Sequence, residues 1–135
     1  MFRIYLAGSI FGVSEEDSKM WREEVKENLK DLYLFSDPTE KKLGSAQMSE
    51  IVESDKKLID QCHILLVNHN KQTTGTAMEV LYGWERQKLV ILVCPEEASP
   101  WLYYHGDMIF KDIKSAINYL KVERSDVEKT LEDIN

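Results

Sequence analysis

The sequence predicts an α/β fold: a doubly wound, five-stranded parallel sheet with helices on both faces. Two observations carry this. Short apolar runs of strand length alternate with longer segments of helical periodicity. No repeat, low-complexity segment or linker interrupts the alternation, so it belongs to one domain. Apolar strands separated by helices form a parallel sheet covered on both sides, and right-handed crossovers then give the flavodoxin-like order 2-1-3-4-5.

The elements follow in chain order. FRIYLA, bounded by glycine, reads as the first buried strand, and GSIFGVS as a loop. Ser14 is placed to cap the next helix, with Asp17 three residues on in the capping-box position. That helix runs to about Asp31, with Trp21, Val25, Leu29 and Leu32 recurring at helical spacing. LYLFS is a second strand, stopped by DPTE. A second helix extends from about Ser45 to Gln61, and HILLVNH is the third strand. TTGTAMEV opens the third helix, LVILVCP is a strand, and EEASPWLYYHG is an aromatic loop. A short strand near DMIF and a helix KDIKSAINYLK complete a domain expected over 1–121. The acidic remainder, 122–135, has weak periodicity in Val122, Val127 and Leu131, and reads as either a surface helix or a frayed end.

Composition narrows the function classes. The chain has 135 residues, 43% hydrophobic and 30% charged, in the range of a single globular core. A net charge of −7 argues against a nucleic-acid polymer as partner, but not against a small phosphorylated ligand met by helix N-termini. No apolar run approaches the roughly 20 residues needed to cross a bilayer. The N-terminus is too strand-like for an export signal, so no membrane and a cytoplasmic location are expected. Cys62 and Cys94 adjoin apolar runs and read as buried reduced thiols. His63, His69 and His105 have no metal-ligand spacing with one another or with the cysteines, so no metal is expected.

In such sheets the ligand crevice lies beyond the carboxyl ends of the strands, where the strand order reverses. Here that point falls between the first and third strands, so the loops GSIFG and NHNKQTTG border it. Several residues there invite scrutiny. Asp55 falls on the apolar stripe of the second helix, four residues after Ile51 and seven after Met48, where a carboxylate needs partners or a purpose. It is either a rim residue that reaches water or pairs with Lys56 or Lys57, or a group aimed at the crevice. Glu79 lies near the start of the third helix, where the dipole and free N–H groups favour its ionised form. Gly75, Thr76 and Gly83 are small neighbours that leave room for a ligand; an ordinary solvated glutamate is the alternative. Tyr5 is near the carboxyl end of the first strand, as a core residue or as part of the crevice. Phe11 is free to stack on a flat ring or to fold back onto the core. Gly8, Ser9 and Gly12 belong to GSIFG, which is neither GxGxxG nor a P-loop. The rings of SPWLYYHG suit a lid, a subunit interface or core packing.

The stretches IYLAGSIFG, SDKKLIDQCHILLV and TGTAMEVLYGWERQKLVILV, in this order and spacing, resemble the nucleoside 2-deoxyribosyltransferase family. The resemblance spans about residues 3–94, more loosely to 120, and implies the same fold. It also implies roles. Glu79 matches the glutamate that attacks the anomeric carbon, Tyr5 the tyrosine that orients it, Asp55 an aspartate that exchanges a proton with the nucleobase, and Phe11 an aromatic that stacks on the base. Gly8, Ser9, Thr73 and Gly75 fall where the substrate would bind. The implied reaction moves 2-deoxyribose between bases through a glutamyl-deoxyribosyl intermediate, with no cofactor. The expected partners are nucleosides or nucleotides and free nucleobases, in a homo-oligomer with shared sites. The related nucleoside 5′-monophosphate N-glycosidases are the alternative, followed by a non-catalytic nucleotide sensor. Thr73 stands where transferases have an aspartate and the hydrolases a small hydroxyl residue. Phe11 stands where the hydrolases have an arginine. Met108 stands where a neighbouring subunit's asparagine completes the transferase site.

Overall fold

A computed structural model describes residues 1–41 and 47–134. Its strands are β1 (Arg3–Gly8), β2 (Leu34–Ser36), β3 (Ile64–Asn68), β4 (Leu89–Val93) and β5 (Met108–Phe110). They pair in parallel in the order β2-β1-β3-β4-β5, the expected one. The helices are α1 (Glu15–Leu29), α2 (Met48–Asp60), α3 (Thr74–Glu85), α4 (Pro100–Tyr104), α5 (Ile113–Val122) and α6 (Arg124–Ile134), with a 3-10 turn over Pro38–Glu40. Among the described residues no helix is long and apolar enough to cross a membrane.

Alternation along the strands builds two cores. Ile4, Leu6, Ile64, Leu66 and Ile91 meet Trp21, Val25 and Leu29 of α1 and Ala116, Ile117 and Leu120 of α5. On the opposite face Tyr5, Ala7, Leu65, Val67, Val90 and Leu92 meet Ile59 of α2, Val80 of α3 and Leu102 of α4. β1, β3 and β4 are thus buried on both sides, which is why they read as unbroken apolar runs. Each fully buried aliphatic side chain contributes about 1.5–3 kcal/mol.

Local chemistry sets the ends. The Ser14 hydroxyl accepts from the Asp17 backbone N–H and starts α1 as expected. α1 stops at Leu29, and only Leu34–Ser36 of LYLFS pairs as strand. The expected start of the second helix at Ser45 lies outside the described residues. The stretch 96–106 is not wholly loop. Ser99 caps and Pro100 opens the short helix α4, a position where the absent proline N–H has no bond to lose. The apolar stripe assigned to the second helix is only partly buried, since Met48 is 84% and Val52 49% exposed. In a right-handed crossover these first turns lie at the carboxyl end of the sheet, beyond its cover. The acidic C-terminal stretch is a packed helix, α6, with Val127 and Leu131 buried and Val122 exposed.

Candidate functional site

β2 is short, and this shapes the site. Its last pairing sets Ser36 against Tyr5. The Phe2 carbonyl accepts from the Leu34 N–H, so the alternate carbonyls of Leu6 and Gly8 face the same edge, past the point where β2 has ended. Arg22 takes the missing strand's place. Its Nε donates to the Leu6 oxygen and its Nη2 to the Gly8 oxygen, both at 3.2 Å, and Nη1 donates to the Ser18 oxygen. The Asp37 carboxylate lies 3.7 Å from Nε. The guanidinium is fully buried with its donors engaged, which is how a buried charge is tolerated. The hydrogen-bonding edge of β1 is thereby finished beyond the end of β2.

Two loops border that end. Gly8 packs against Trp21, where a Cβ would come within 2.8 Å of Cζ2. Buried Ser9 donates its hydroxyl to the Lys71 carbonyl at 3.2 Å, and Lys71 Nζ donates to the Gly12 carbonyl at 2.7 Å. Gly12 has φ +78°, a left-handed conformation that glycine adopts without strain. Phe11 stands at the tip, 81% exposed. Across from it, Thr73 precedes α3 and donates its hydroxyl to buried Thr76 at 2.8 Å. A Cβ at Gly75 would meet nothing within 4 Å, so the first turn of α3 is open.

β1 and α3 bring Tyr5 and Glu79 together: the phenol donates a short hydrogen bond to the Glu79 carboxylate. The expectation that the helix N-terminus keeps Glu79 readily ionised is corrected. Glu79 is the sixth residue of α3, beyond the free N–H groups, and burial pushes its carboxyl up to about 7. The Tyr5 bond, Arg22 and Lys41 oppose that rise, and Asp55 adds to it. Burial, then the Glu79 and Asp55 charges, push the Tyr5 phenol far above its ordinary range, so it stays a donor. Asp55 is coupled electrostatically to both, but its ionic partner is neither Lys56 nor Lys57. Lys41 donates to the Asp55 carboxylate and to the Ser54 hydroxyl, the latter at 2.9 Å. Gly83, expected to leave ligand room, instead faces the sheet, where a Cβ would meet Leu65 Cδ2 at 2.7 Å.

The structure thus joins Tyr5 and Glu79 directly and couples Asp55 to them. Gly8, Ser9, Phe11, Thr73 and Gly75 lie on the bordering loops and the first turn of α3. Sequence reasoning missed Arg22 and Lys41. Arg22 carried a signal, since it falls three residues before Val25 and seven before Leu29, on the buried stripe of α1. Lys41 carried none, because it lies in an aperiodic segment.

Other clusters have simpler accounts. Glu23, Asp37 and Glu40 converge, but Lys26 Nζ sits among them at 2.9, 2.8 and 2.7 Å. Cys62 and Cys94 are buried free thiols. Two open grooves lie away from Tyr5, Asp55 and Glu79, one along α5 and one between Trp84 and the exposed rings of Trp101 and Tyr104.

A family model described as nucleoside 2-deoxyribosyltransferase matches residues 4–126. No curated protein matches the chain. Among solved structures, a 2-deoxyribosyltransferase from Bacillus psychrosaccharolyticus is similar with a TM-score of 0.69 and 23% identity, over 87% of this chain and 91% of that one. A 2-deoxyribosyltransferase from Leishmania mexicana gives a TM-score of 0.68 and 15% identity, over 89% and 97%. A CMP N-glycosidase from Clostridium botulinum gives 0.64 and 15%, over 90% and 98%. At these identities the likeness is one of fold.

Proposed function

The chain belongs to the nucleoside 2-deoxyribosyltransferase family, and from that premise we propose that it transfers 2-deoxyribose between nucleobases by double displacement at Glu79. The observation that carries this reading is the hydrogen bond from Tyr5 to Glu79 at the carboxyl end of the sheet. It fixes one carboxylate oxygen and leaves the other free to attack.

Cleaving an N-glycosidic bond develops positive charge on the sugar and negative charge on the leaving base. Glu79 stabilises the first and traps it as a glycosyl ester, so the C1′–Oε bond forms as the C1′–N bond breaks. A second base then attacks C1′ from the face the first base left, with overall retention. A carboxyl group titrating near 7 suits this task, being ionised in a good fraction of molecules yet held where neutralisation is favourable. Tyr5 holds the attacking geometry and keeps the anion in place. In this reading Asp55 faces the base, Phe11 stacks on it, and Gly8, Ser9, Thr73 and Gly75 receive the sugar.

The second reading is hydrolysis of a nucleoside 5′-monophosphate. Thr73 favours it, because a hydroxyl stands before α3 where an aspartate would repel phosphate. Incubating cytosine with deoxyadenosine, and in parallel with its 5′-monophosphate, separates the two. New deoxycytidine identifies the transferase, whereas free sugar or sugar phosphate with no new nucleoside identifies the hydrolase. Glu79→Ala lowers either activity by about a thousandfold or more. An unchanged rate removes Glu79 from the reaction.

Assembly into a homo-oligomer belongs to the same proposal. The outer face of α3 exposes Met78, Leu81 and Trp84, and α4 exposes Trp101 and Tyr104. Trp84, Tyr104 and His105 meet one another in edge-on and tilted contacts, an aromatic patch of the kind that subunits cover.

A further inference from the structure

Departure of a nucleobase needs a proton as well as a nucleophile, and the structure changes which group has one to give. Asp55 accepts from the Lys41 ammonium. A carboxylate held in an ion pair is an acceptor; the transferable proton is on the lysine. Lys41 Nζ is also anchored by Ser54 at 2.9 Å, and its side chain is only 19% exposed, so the ammonium is fixed rather than trailing in solvent. Its charge acts on Glu79, and so does that of Asp55. Tyr5, Glu79, Asp55 and Lys41 therefore form one coupled set, with the nucleophile at one end and the ammonium at the other.

We propose that Lys41 is a catalytic residue that protonates the departing nucleobase, with Asp55 holding the ammonium in position and accepting its hydrogen bond. This rests on the glycosyl-transfer reading above. As the Glu79 oxygen bonds to C1′, the electron pair of the C1′–N bond passes to the base. The proton leaves Lys41 Nζ, directly or across the Asp55 carboxylate, and ends on a ring nitrogen. The neutral amine is then the base that takes a proton from the incoming nucleobase, which restores the ammonium for the next turnover.

The test compares leaving groups, using the full chain. Adenine leaves 2′-deoxyadenosine as an anion unless it is protonated. 7-Methylguanine leaves 7-methyl-2′-deoxyguanosine without any proton, because the bound base is already cationic. Both are offered as nucleosides and as 5′-monophosphates. Lys41→Met is expected to lower kcat about 100-fold on the adenine substrate and less than about threefold on the methylated one. Lys41→Arg keeps the charge but not the readily transferable proton, and is expected to stay about as slow on adenine as Lys41→Met. Equal losses on both substrates, no loss on either, or full recovery by arginine would each overturn the role of Lys41. A circular dichroism spectrum and Tm matching the unmodified protein exclude misfolding as the cause. If the unmodified protein cleaves neither substrate and Glu79→Ala changes nothing, the glycosyl-transfer reading fails and the proposal fails with it. Glu79-dependent cleavage with equal Lys41→Met losses sinks Lys41 alone.

Discussion

The Tyr5 hydroxyl donates to the Glu79 carboxylate across 74 residues of sequence, tying the inner strand β1 to the helix α3. The bond favours the ionised carboxylate, while burial disfavours it and wins, leaving the group near 7.

Activity should follow that balance. In the proposed reaction Glu79 attacks only when ionised, so kcat/KM is expected to rise with pH through about 7 and level off above it. Tyr5→Phe removes the donor that stabilises the anion. Its acid limb should move to higher pH, with a rate loss of about tenfold or more from lost positioning. A limb that moves to lower pH would contradict this assignment of the bond.

Stability should run the opposite way. The folded carboxyl is raised from 4.5 to about 7, so between these values the folded chain binds a proton that the unfolded chain has released. This contribution is fully present below pH 4.5 and lost as pH rises through 7, a change of roughly 3 kcal/mol. Glu79→Gln has no charge to bury and keeps an acceptor for Tyr5. Urea denaturation at pH 5 and pH 8 should show the variant gaining on the unmodified protein at the higher pH. Equal differences at both pH values would refute it.

Arg22→Met should destabilise the chain by about 3–5 kcal/mol, because it strands the carbonyls of Leu6 and Gly8 and strips Asp37 of one cation. Arg22→Lys should recover little, since one ammonium cannot span both carbonyls and Ser18. Chemical denaturation measures both, and a loss under about 1 kcal/mol would show that water replaces the guanidinium.

Two glycines of α3 should separate stability from function. Gly83→Ala drives a methyl group into Leu65 and should cost about 1–3 kcal/mol. Gly75→Ala meets open space, so stability should hold or improve by up to about 1 kcal/mol, while KM rises if the sugar sits there. Thermal melts beside steady-state kinetics resolve the pair.

The exposed rings offer a test of assembly. Trp101→Ser combined with Tyr104→Ser should lower the mass measured by light scattering to that of one chain, with the circular dichroism spectrum unchanged. An unchanged mass places the interface elsewhere.

The sheet order was legible because β1, β3 and β4 are buried on both faces and read as unbroken apolar runs. Boundaries are less so: 96–106 reads as loop, although Ser99 and Pro100 are an ordinary opening for a helix. In the site, Tyr5, Asp55 and Glu79 stood out by strand position, apolar stripe and resemblance. Arg22 falls on the stripe of α1 by the reasoning applied to Asp55, beside Trp21 on the same buried face. Lys41 could not be read at all. Its meaning comes from Asp55 and Ser54 on α2, contacts that no periodicity encodes. The ionisation of Glu79 was misjudged because the helix dipole is visible in sequence and desolvation is not.

The bonds from Ser9 to Lys71 and from Lys71 to Gly12 make the two loops a single rim. A ligand arriving there meets a mouth already ordered, so little conformational entropy is left to lose on binding. The same coupling constrains redesign. Exchanging the loop after β1 for one from a relative, without its counterpart after β3, would loosen the opposite wall as well, and altered specificity is expected only when both are exchanged together.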